Sequence, residues 1–427
     1  MNLNNPTRVA VLGGVRIPFC RAYSGYQELT NKDMLARTLQ GLSDRFGLAG
    51  ERIDEVAGGA VTTHSKDWNL TREAILSTNL SPETPGITMQ QACGTSLQAA
   101  MLLAGKIATG QIDSGIACGA DTISDTPLVF GDRFAKRLIK MSRARDAMSR
   151  LAAFKGMSLG ELKPVPPSPS EPRTKLSMGQ HCELMAREWG IPRDQQDALA
   201  ASSHHHLANS YDSGFQDDLV IPCEGVVRDN NLRPDSNAEA MATLRTVFDK
   251  SPLGTLTAAN STALTDGAAG ILLASEEWAR THDIPVLAYL TYARTASVDF
   301  VKGEGLLMAP TLAVSELLSR AGLELQEFDY YEIHEAFAAQ VLCTLEAWKS
   351  EDYCRDRLGR PHSMGDIDRA KLNVNGSSLA AGHPFAATGA RIMGVLAKLL
   401  ADKGSGRGLI SICTAGGMGV AAILEAA

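Results

Sequence analysis

The 427-residue sequence predicts an α/β protein made of two similar halves that pack in five layers, α/β/α/β/α, with an inserted loop domain. Short buried strands alternate along the chain with helices of about 10 to 15 residues, which is typical of mainly parallel sheets covered by helices. Segments of the first half recur in pattern in the second half, which indicates an internal duplication. One long region follows neither pattern, and it is therefore predicted to be an insertion.

The duplication is visible in two pairs of segments. In the first pair an acidic residue is followed by a short apolar strand and a turn of small residues, and in the second pair a short buried strand ends in small residues. A helix is also predicted in each half, over 95–109 after Cys93 and over 388–401 after His383. Cys93 and His383 therefore occupy equivalent turns before a helix. The paired segments are residues 52–60 with 327–336, and residues 114–120 with 408–417.

The region 124–251 interrupts the alternation of strands and helices. It contains a strongly basic segment, a proline-rich stretch at 164–169 and two helical patterns over 178–189 and 192–210. We expect this insertion to cover the face that carries the reactive residues described below. The predicted N-terminal half is then formed by residues 1–123 and 252–281, and the predicted C-terminal half by residues 282–427.

The basic segment 133–155 holds eight basic residues and one acid, Asp146, so its charge is +7 while the rest of the chain carries −14. Its apolar residues recur at helical spacing, which predicts a basic amphipathic helix or helical hairpin. Four interpretations stay open: a solvated face over a local core, a membrane surface, a partner subunit or an anionic ligand. The net charge of −7 for the whole chain argues against general nucleic-acid binding.

Several classes of protein are disfavoured by the composition. No apolar run reaches the roughly 18 residues that a membrane-spanning helix needs. Met1–Pro6 leads straight into a strand-like segment at 7–12, which leaves no room for a leader, so we expect a cytoplasmic protein with reduced thiols. The eight cysteines form no CxxC pair, which disfavours a zinc ribbon. His204–His206 are consecutive and point in different directions on a helix, so no metal site is predicted there.

Cys93 is the strongest candidate for a nucleophile, because an apolar-spaced helix begins immediately after it. Free N–H groups at a helix N-terminus stabilise negative charge, so the pKa of the Cys93 thiol is expected to be lowered. Three further reactive residues, His334, His383 and Cys413, also stand in segments rich in small residues. No phosphate-binding loop or dinucleotide fingerprint accompanies them.

These four segments, together with Arg16–Phe19, resemble the thiolase family along almost the whole chain. The sequence most resembles the bacterial fatty-oxidation thiolases that form the beta subunit of a trifunctional enzyme. His334 stands where short-chain biosynthetic thiolases usually carry Asn, Gly-Thr-Ser follows Cys93, and Thr-Ala precedes Gly416 and Gly417. The basic insertion with its proline-rich exit is part of the same resemblance.

The resemblance implies a catalytic role for each reactive residue. Cys93 would attack the 3-keto carbon of a 3-ketoacyl-CoA, with His383 accepting the thiol proton. Cys413 would protonate the acetyl-CoA enolate and then take the proton of incoming CoA, which is a cosubstrate, so that no metal or permanently bound cofactor is needed. His334 and His383 would form one oxyanion site, and the backbone N–H groups of Cys93 and Ala415 the other. Most thiolases carry Gly where Ala415 stands, which we interpret as a mark of subtype.

The resemblance also suggests residues that contact the substrate. The stretch 257–267 is similar to the thiolase segment along the pantetheine arm of CoA. Thr262 matches a position that is commonly Ser, and its hydroxyl is expected to be able to bond a pantetheine amide. Met178, Leu306 and Phe337 match apolar positions of the acyl or pantetheine tunnel, although each is equally explained as a core residue. The family further implies a homodimer paired edge to edge, and its subtype a hydratase/dehydrogenase alpha subunit as partner.

Other functions are open at this point. An acetoacetyl-CoA thiolase that runs the reverse condensation differs little in sequence, while a ketoacyl synthase lacks a second catalytic cysteine such as Cys413. A non-catalytic acyl-CoA-binding scaffold would be expected to have lost a reactive residue, and a docking role through 133–155 is compatible with catalysis. The acyl chain length and the physiological direction do not follow from the sequence.

Overall fold

The computed structural model of the chain describes residues 6–427. The prediction about the segment Met1–Pro6 therefore lies outside the described residues, apart from Pro6. The strands are β1 Val9–Arg16, β2 Cys20–Arg21, β3 Glu55–Gly58, β4 Gly86–Thr88, β5 Ser114–Asp121, β6 Val129–Phe130, β7 Pro164–Val165, β8 Thr265–Ser275, β9 Ala288–Ser297, β10 Tyr330–Ile333, β11 Arg407–Thr414 and β12 Met418–Ala426.

Helices occupy most of the chain between the strands. They are α1 Asn31–Phe46, α2 Leu70–Ile75, α3 Thr95–Ala108, α4 Asp132–Arg143, α5 Ala147–Ala152, α6 Met178–Glu188, α7 Arg193–Asp212, α8 Ala238–Ala242, α9 Glu276–Thr281, α10 Ala309–Ala321, α11 Ala338–Lys349, α12 Glu351–Asp356, α13 Ser378–Ala381 and α14 Thr388–Lys403. Short 3₁₀ helices lie at Ser65–Asp67, Ala92–Gly94, Leu159–Leu162, Phe300–Lys302, Arg369–Lys371 and Phe385–Ala387.

The strand order shows the duplication directly. The main sheet runs β10-β11-β12-β9-β1-β8-β5-β3-β4, with β2 beside β8. The order β3-β5-β8-β1 in the first half corresponds to β10-β11-β12-β9 in the second half. Where the first half has β4 parallel to β3, the second half has a parallel bridge from Leu372 to Tyr331 of β10. The two halves join where Ala10 and Val11 of β1 pair with Tyr289 and Ala288 of β9. The repeated segments predicted from the sequence contain β3 with β10 and β5 with β11.

The prediction of mainly parallel strands is wrong, because the sheet is mixed. The pairs β3–β4, β3–β5 and β10–β11 are parallel, whereas β1–β8, β5–β8, β11–β12, β9–β12 and β1–β9 are antiparallel. The strand β12 returns directly after β11 through a turn in which Gly416 and Gly417 have φ of 77° and 71°. A tight turn with left-handed glycines joins antiparallel strands and needs no crossover helix.

The five-layer arrangement is confirmed by the way strand residues divide between cores. On β12, Val420 and Ala422 face a central core that also contains α3 and α14, while Ala421 and Ile423 face a second core with α10. The strands β1 and β8 divide in the same way between the central core and one with α1. A Cβ added to Gly389 would lie 2.4 Å from a backbone nitrogen of α3, so this glycine permits α3 and α14 to approach closely.

The chain divides into two compact units, residues 126–169 and the remainder. The smaller unit holds the ribbon β6–β7 and the helices α4 and α5, so the basic segment forms a pair of helices. Inside this unit Arg137 Nε donates to Glu161 Oε2 at 2.7 Å, and Phe130 packs edge-on against Phe134. The predicted insertion 124–251 thus combines this unit with residues that pack in the larger one, and its boundaries stay a prediction. Within residues 6–427 no helix is both long and apolar enough to cross a membrane.

Candidate active site

The four predicted reactive residues lie at the ends of strands or in turns before helices. Cys93 is in the 3₁₀ turn between β4 and α3, His334 directly follows β10, His383 lies between α13 and α14, and Cys413 is the penultimate residue of β11. All four side chains are buried. Since parallel neighbours such as β10 and β11 end at the same edge of the sheet, the fold brings these positions together.

Three of the side chains converge on one point. The Cys93 sulfur and one ring nitrogen from each of His334 and His383 lie within 4.8 Å of one another. The two imidazole rings are 4.1 Å apart between centroids, with 44° between their planes. Cys413 is close enough for the charge of Cys93 to raise the pKa of its thiol, although burial is the larger cause of that rise. The predicted catalytic residues therefore share one site.

The two histidines are held through their Nδ1 atoms. His334 Nδ1 lies 2.8 Å from Ser378 Oγ, and His383 Nδ1 lies 2.6 Å from Thr388 Oγ1. The backbone N–H of His383 also donates to Thr265 Oγ1 at 2.7 Å. The Nε2 atoms of both histidines are buried without a hydrogen-bond partner. They are the ring atoms left for a substrate or a thiol.

The site is uncharged in its resting form. Burial lowers the pKa of His383 to about 3, with a further contribution from the cation of Arg391. Burial also lowers the pKa of His334 well below its ordinary value, helped by His383 and Arg391. Burial raises the pKa of Cys93 to about 12. The expectation that the helix N-terminus lowers this pKa is therefore wrong, because loss of water around the thiolate outweighs the N–H groups that face it.

The predicted backbone donors face the nucleophile. The N–H groups of Ala415 and of Cys93 itself donate toward the Cys93 sulfur. Ala415 is absent from the residues with positive φ, so its Cβ is accommodated without strain. The next N–H, of Gly416, donates to Glu171 Oε1 at 2.9 Å and fixes the loop. Ala92, just before Cys93, has a φ of 45°, a strained conformation of the kind found at functional sites.

Cys93, His334 and His383 also form the one group of three within residues 6–427 that is close enough to hold a metal ion. The same atoms are the ones that a nucleophile, a base and an oxyanion donor require, so the predicted lack of a metal stays a prediction. The histidine run of α7 does not form a second group. His204 Nδ1 accepts from the backbone of Arg233, whereas a ring nitrogen of His206 contacts the backbone oxygen of another segment.

The predicted apolar contacts of the substrate lie next to the second cysteine. Met178, Leu306 and Phe337 pack in one cluster that also contains Cys413. Leu306 is fully buried, and Phe337 packs edge-on against Phe248 with 5.7 Å between ring centroids. Their position beside Cys413 is compatible with a tunnel wall, but contact with a substrate stays a prediction.

Sequence reasoning missed the residues that support the histidines. Ser378 and Thr388 bond their Nδ1 atoms, and the buried Arg391 donates to Ser378 Oγ at 3.0 Å. Thr262, predicted to bond pantetheine, donates its hydroxyl to the backbone oxygen of Ser378, so it is left only as an acceptor. The available signal was Arg391, an arginine among the apolar residues of helix α14. Because arginine is almost never buried without a partner, its position indicates a polar partner inside the fold.

Asp121 supports the loop that carries His383. Its carboxylate accepts from the backbone N–H groups of Val61 and Thr62 through Oδ1, and from Ala386 at 2.8 Å through Oδ2. We expect Asp121→Asn to lower the free energy of unfolding by about 1–3 kcal/mol, because the new NH₂ group leaves one of these donors unpaired. Urea unfolding at pH 7 measures this change.

The exposed Asp44→Asn is the matched control, with an expected change near zero, and equal stability of the two variants would contradict the prediction. Burial raises the pKa of Asp121 to about 6, above its ordinary 3.8. The folded state therefore binds this proton more tightly than the unfolded state does. The contribution of this proton to the free energy of unfolding is fully present below about pH 4 and is lost as the pH rises to about 6. Asp121→Asn should remove this pH dependence.

The duplicated layered fold places a buried cysteine beside two histidines and a second cysteine, an arrangement suited to acyl transfer. The family model for the thiolase N-terminal domain matches residues 9–277, and that for the thiolase C-terminal domain matches residues 284–426. The chain therefore belongs to the thiolase family.

Individual relatives agree with this assignment. The 3-ketoacyl-CoA thiolases of Yersinia pestis (strain Pestoides F) and Yersinia pseudotuberculosis (serotype O:1b) are each 38% identical over 424 residues, which is 98% of this chain and 97% of theirs. The crystal structure of Bacillus anthracis acetyl-CoA acetyltransferase superposes with a TM-score of 0.81 at 28% identity, covering 99% of this chain and 100% of the other. Human mitochondrial 3-ketoacyl-CoA thiolase gives 0.81 at 26% identity, covering 99% of both chains.

Proposed function

We propose that the protein is a 3-ketoacyl-CoA thiolase of fatty-acid β-oxidation, which uses CoA to cleave 3-ketoacyl-CoA into acetyl-CoA and an acyl-CoA two carbons shorter. The observation that supports it is the convergence of Cys93, His334 and His383 within 4.8 Å beside Cys413. CoA is a cosubstrate in this proposal, and protein groups supply all the chemistry. We place the enzyme in the cytoplasm, where eight free cysteines would remain reduced.

In the first half-reaction the Cys93 sulfur attacks the 3-keto carbon while its proton moves to His383 Nε2. The N–H groups of Cys93 and Ala415 hold the alkoxide that forms. When the alkoxide collapses, the bond between the α and β carbons breaks and its electron pair becomes the enolate of acetyl-CoA. His334 and His383 hold the enolate oxygen, and Cys413 gives its proton to the carbon. The products are acetyl-CoA, acyl-Cys93 and a Cys413 thiolate.

In the second half-reaction the Cys413 thiolate takes the proton of incoming CoA. The CoA sulfur attacks the thioester carbon of acyl-Cys93, and the N–H groups of Cys93 and Ala415 again hold the oxyanion. Collapse of this intermediate expels the Cys93 thiolate, which recovers its proton from His383. The raised pKa of Cys413 suits this cycle, since it keeps the thiol protonated until a strongly basic enolate forms.

The test is CoA-dependent loss of the magnesium-enolate absorbance of 3-ketoacyl-CoAs with four to sixteen carbons. Cleavage of the longer substrates is the expected result. Cleavage of acetoacetyl-CoA alone would instead favour a short-chain acetyl-CoA acetyltransferase. No cleavage at any length would overturn the proposal and favour an acyl-CoA-binding scaffold or docking subunit.

We also propose that the chain forms a homodimer through the edge of its main sheet. The strand β4 lies at the end of the strand order, and Ile87 at its centre is 40% exposed. An unpaired edge strand with an exposed apolar residue is a surface that a second copy can cover. Light scattering after gel filtration tests this proposal, and a monomer at micromolar concentration would contradict it.

For the smaller unit we propose contact with an anionic membrane surface. Supporting observations are the exposed basic side chains of Lys136, Lys140 and Arg143 and the exposed apolar side chains of Met148 and Leu151. Basic helices that also expose apolar residues are typical of binding to the lipid interface. The competing partner is a hydratase/dehydrogenase alpha subunit, which would be recognised through an acidic face.

Reversing three charges, in Lys136→Glu/Lys140→Glu/Arg143→Glu, is expected to weaken binding to vesicles containing phosphatidylserine by more than about tenfold, since each basic residue near such a surface contributes roughly 1 kcal/mol. Arg137 is left in place, because it is paired with Glu161. Lys302→Glu, in the larger unit, is the control and should bind normally. Vesicle co-sedimentation measures binding; association only with an alpha subunit, or with neither, would contradict the proposal.

A further inference from the structure

A buried arginine and a serine stand behind His334. Arg391 Nη2 donates to Ser377 Oγ at 3.1 Å and to Ser378 Oγ at 3.0 Å. Ser378 Oγ is also 2.8 Å from His334 Nδ1. Burial lowers the pKa of Arg391, but the nearby carboxyl groups of Glu332 and Glu335 oppose this effect, so the pKa falls only to about 10. The guanidinium is therefore charged at neutral pH.

The chemistry of these three groups assigns the direction of each hydrogen bond. A guanidinium has donors and no acceptor, so the Ser378 oxygen must accept from Arg391. Among the described residues the Ser378 hydroxyl has two hydrogen-bond partners, Arg391 and His334. If His334 donated from Nδ1, the buried hydroxyl hydrogen of Ser378 would be left without an acceptor, which costs about 1–3 kcal/mol. The Ser378 hydroxyl hydrogen and the Arg391 N–H both have an acceptor only when Ser378 donates to His334 Nδ1.

We propose that Ser378 and Arg391 are positioning residues that fix the tautomer of His334 with its proton on Nε2. This assignment rests on the proposed function, in which His334 donates to the enolate oxygen. A neutral imidazole must carry hydrogen on the nitrogen that faces the oxyanion, and Nε2 is the unpartnered nitrogen of His334. Without the hydrogen bonds from Arg391 to Ser378 and from Ser378 to His334, the imidazole of His334 could carry its proton on Nδ1. Its Nε2 would then present a lone pair to the enolate oxygen.

The neighbouring His383 is held in a way that permits the opposite tautomer. Its Nδ1 contacts Thr388 Oγ1, and among the described residues no cation donates to that hydroxyl. Without a cation on its oxygen, the Thr388 hydroxyl can either donate to or accept from His383 Nδ1, so this contact does not fix the tautomer of His383. The two adjacent imidazoles therefore differ in one respect: the hydroxyl that bonds His334 also accepts from an arginine, whereas the hydroxyl that bonds His383 does not.

Nitrogen-15 NMR of histidine-labelled protein tests the tautomer directly, with the His334 signals assigned from their loss in His334→Asn. We expect the Nε2–H form in the wild type and in Ser378→Thr, and its loss in Ser378→Ala. Turnover of Ser378→Ala should fall about 10- to 100-fold, part of the 10²- to 10³-fold lost when an oxyanion donor is removed. Ser377→Ala is the matched control, because Ser377 contacts Arg391 and not His334, and its turnover should change by less than about threefold.

A double-mutant cycle separates positioning from a general structural effect. The amide of Asn donates without any choice of tautomer, so in the His334→Asn background Ser378→Ala should cost less than about twofold. An equal loss in both backgrounds, or an Nδ1–H signal for His334 in the wild type, would overturn the inference. If the wild type cleaves no 3-ketoacyl-CoA, the proposed function fails, while the NMR signal still decides the tautomer.

Discussion

Cys93→Ser is expected to lower the rate of thiolysis by about four orders of magnitude or more, because loss of a catalytic nucleophile removes a whole covalent pathway. Serine matches cysteine in shape, but its hydroxyl is a much weaker nucleophile with a neutral imidazole as base. Stopped-flow thiolysis of a 3-ketoacyl-CoA measures the loss. Mass spectrometry should also detect an acyl group on the Cys93 peptide of the wild type and none on the variant.

The control for Cys93→Ser is Cys118→Ser, a change of the same kind in another buried thiol. Burial raises the pKa of Cys118 to about 12, as it does for Cys93, but Cys118 lies on β5 and its sulfur contacts the backbone oxygen of Ala57. It should retain most of the activity. If Cys93→Ser kept more than a few per cent of the wild-type rate, or if both variants lost activity equally, Cys93 would not be the nucleophile.

The grouping of the reactive residues could be predicted from sequence because it follows from the repeat. Cys93 and His383 precede equivalent helices, and His334 and Cys413 are at the ends of β10 and β11, which are parallel neighbours. Such positions are set by local pattern and by the rule that parallel strands end together. The five layers follow from the same alternation, since each buried strand needs helices on both faces.

The electrostatic state of the site could not be predicted in this way. The pKa of Cys93 depends on how much water the folded chain excludes, and burial reverses the shift that the helix N-terminus suggested. The same applies to Ser378 and Arg391, which are 13 positions apart and meet only when α13 and α14 fold together. Strand direction was missed because side-chain periodicity is the same in parallel and antiparallel sheets.

Cys413→Ala is expected to abolish two reactions, thiolysis and the exchange of the C2 hydrogens of acetyl-CoA with deuterium from solvent. Both require a group that moves a proton at that carbon, and general acid–base groups contribute about 10²- to 10⁴-fold. Cys93→Ser should lose thiolysis and keep the exchange, because enolate formation needs the histidine oxyanion site and not the nucleophile. Proton NMR of acetyl-CoA in deuterated buffer measures the exchange.

The pH dependence of that exchange identifies the base. Burial is the largest cause of the raised pKa of Cys413 and persists in Cys93→Ser, so the Cys413 thiolate is a minor species at neutral pH in that variant. Exchange by Cys93→Ser should therefore rise about tenfold per pH unit from pH 7 to 9, since the reactive thiolate increases in that proportion. A flat profile, or exchange that survives in Cys413→Ala, would assign the proton transfer to another group, and His383 with its lowered pKa is the one that would give a flat profile in this range.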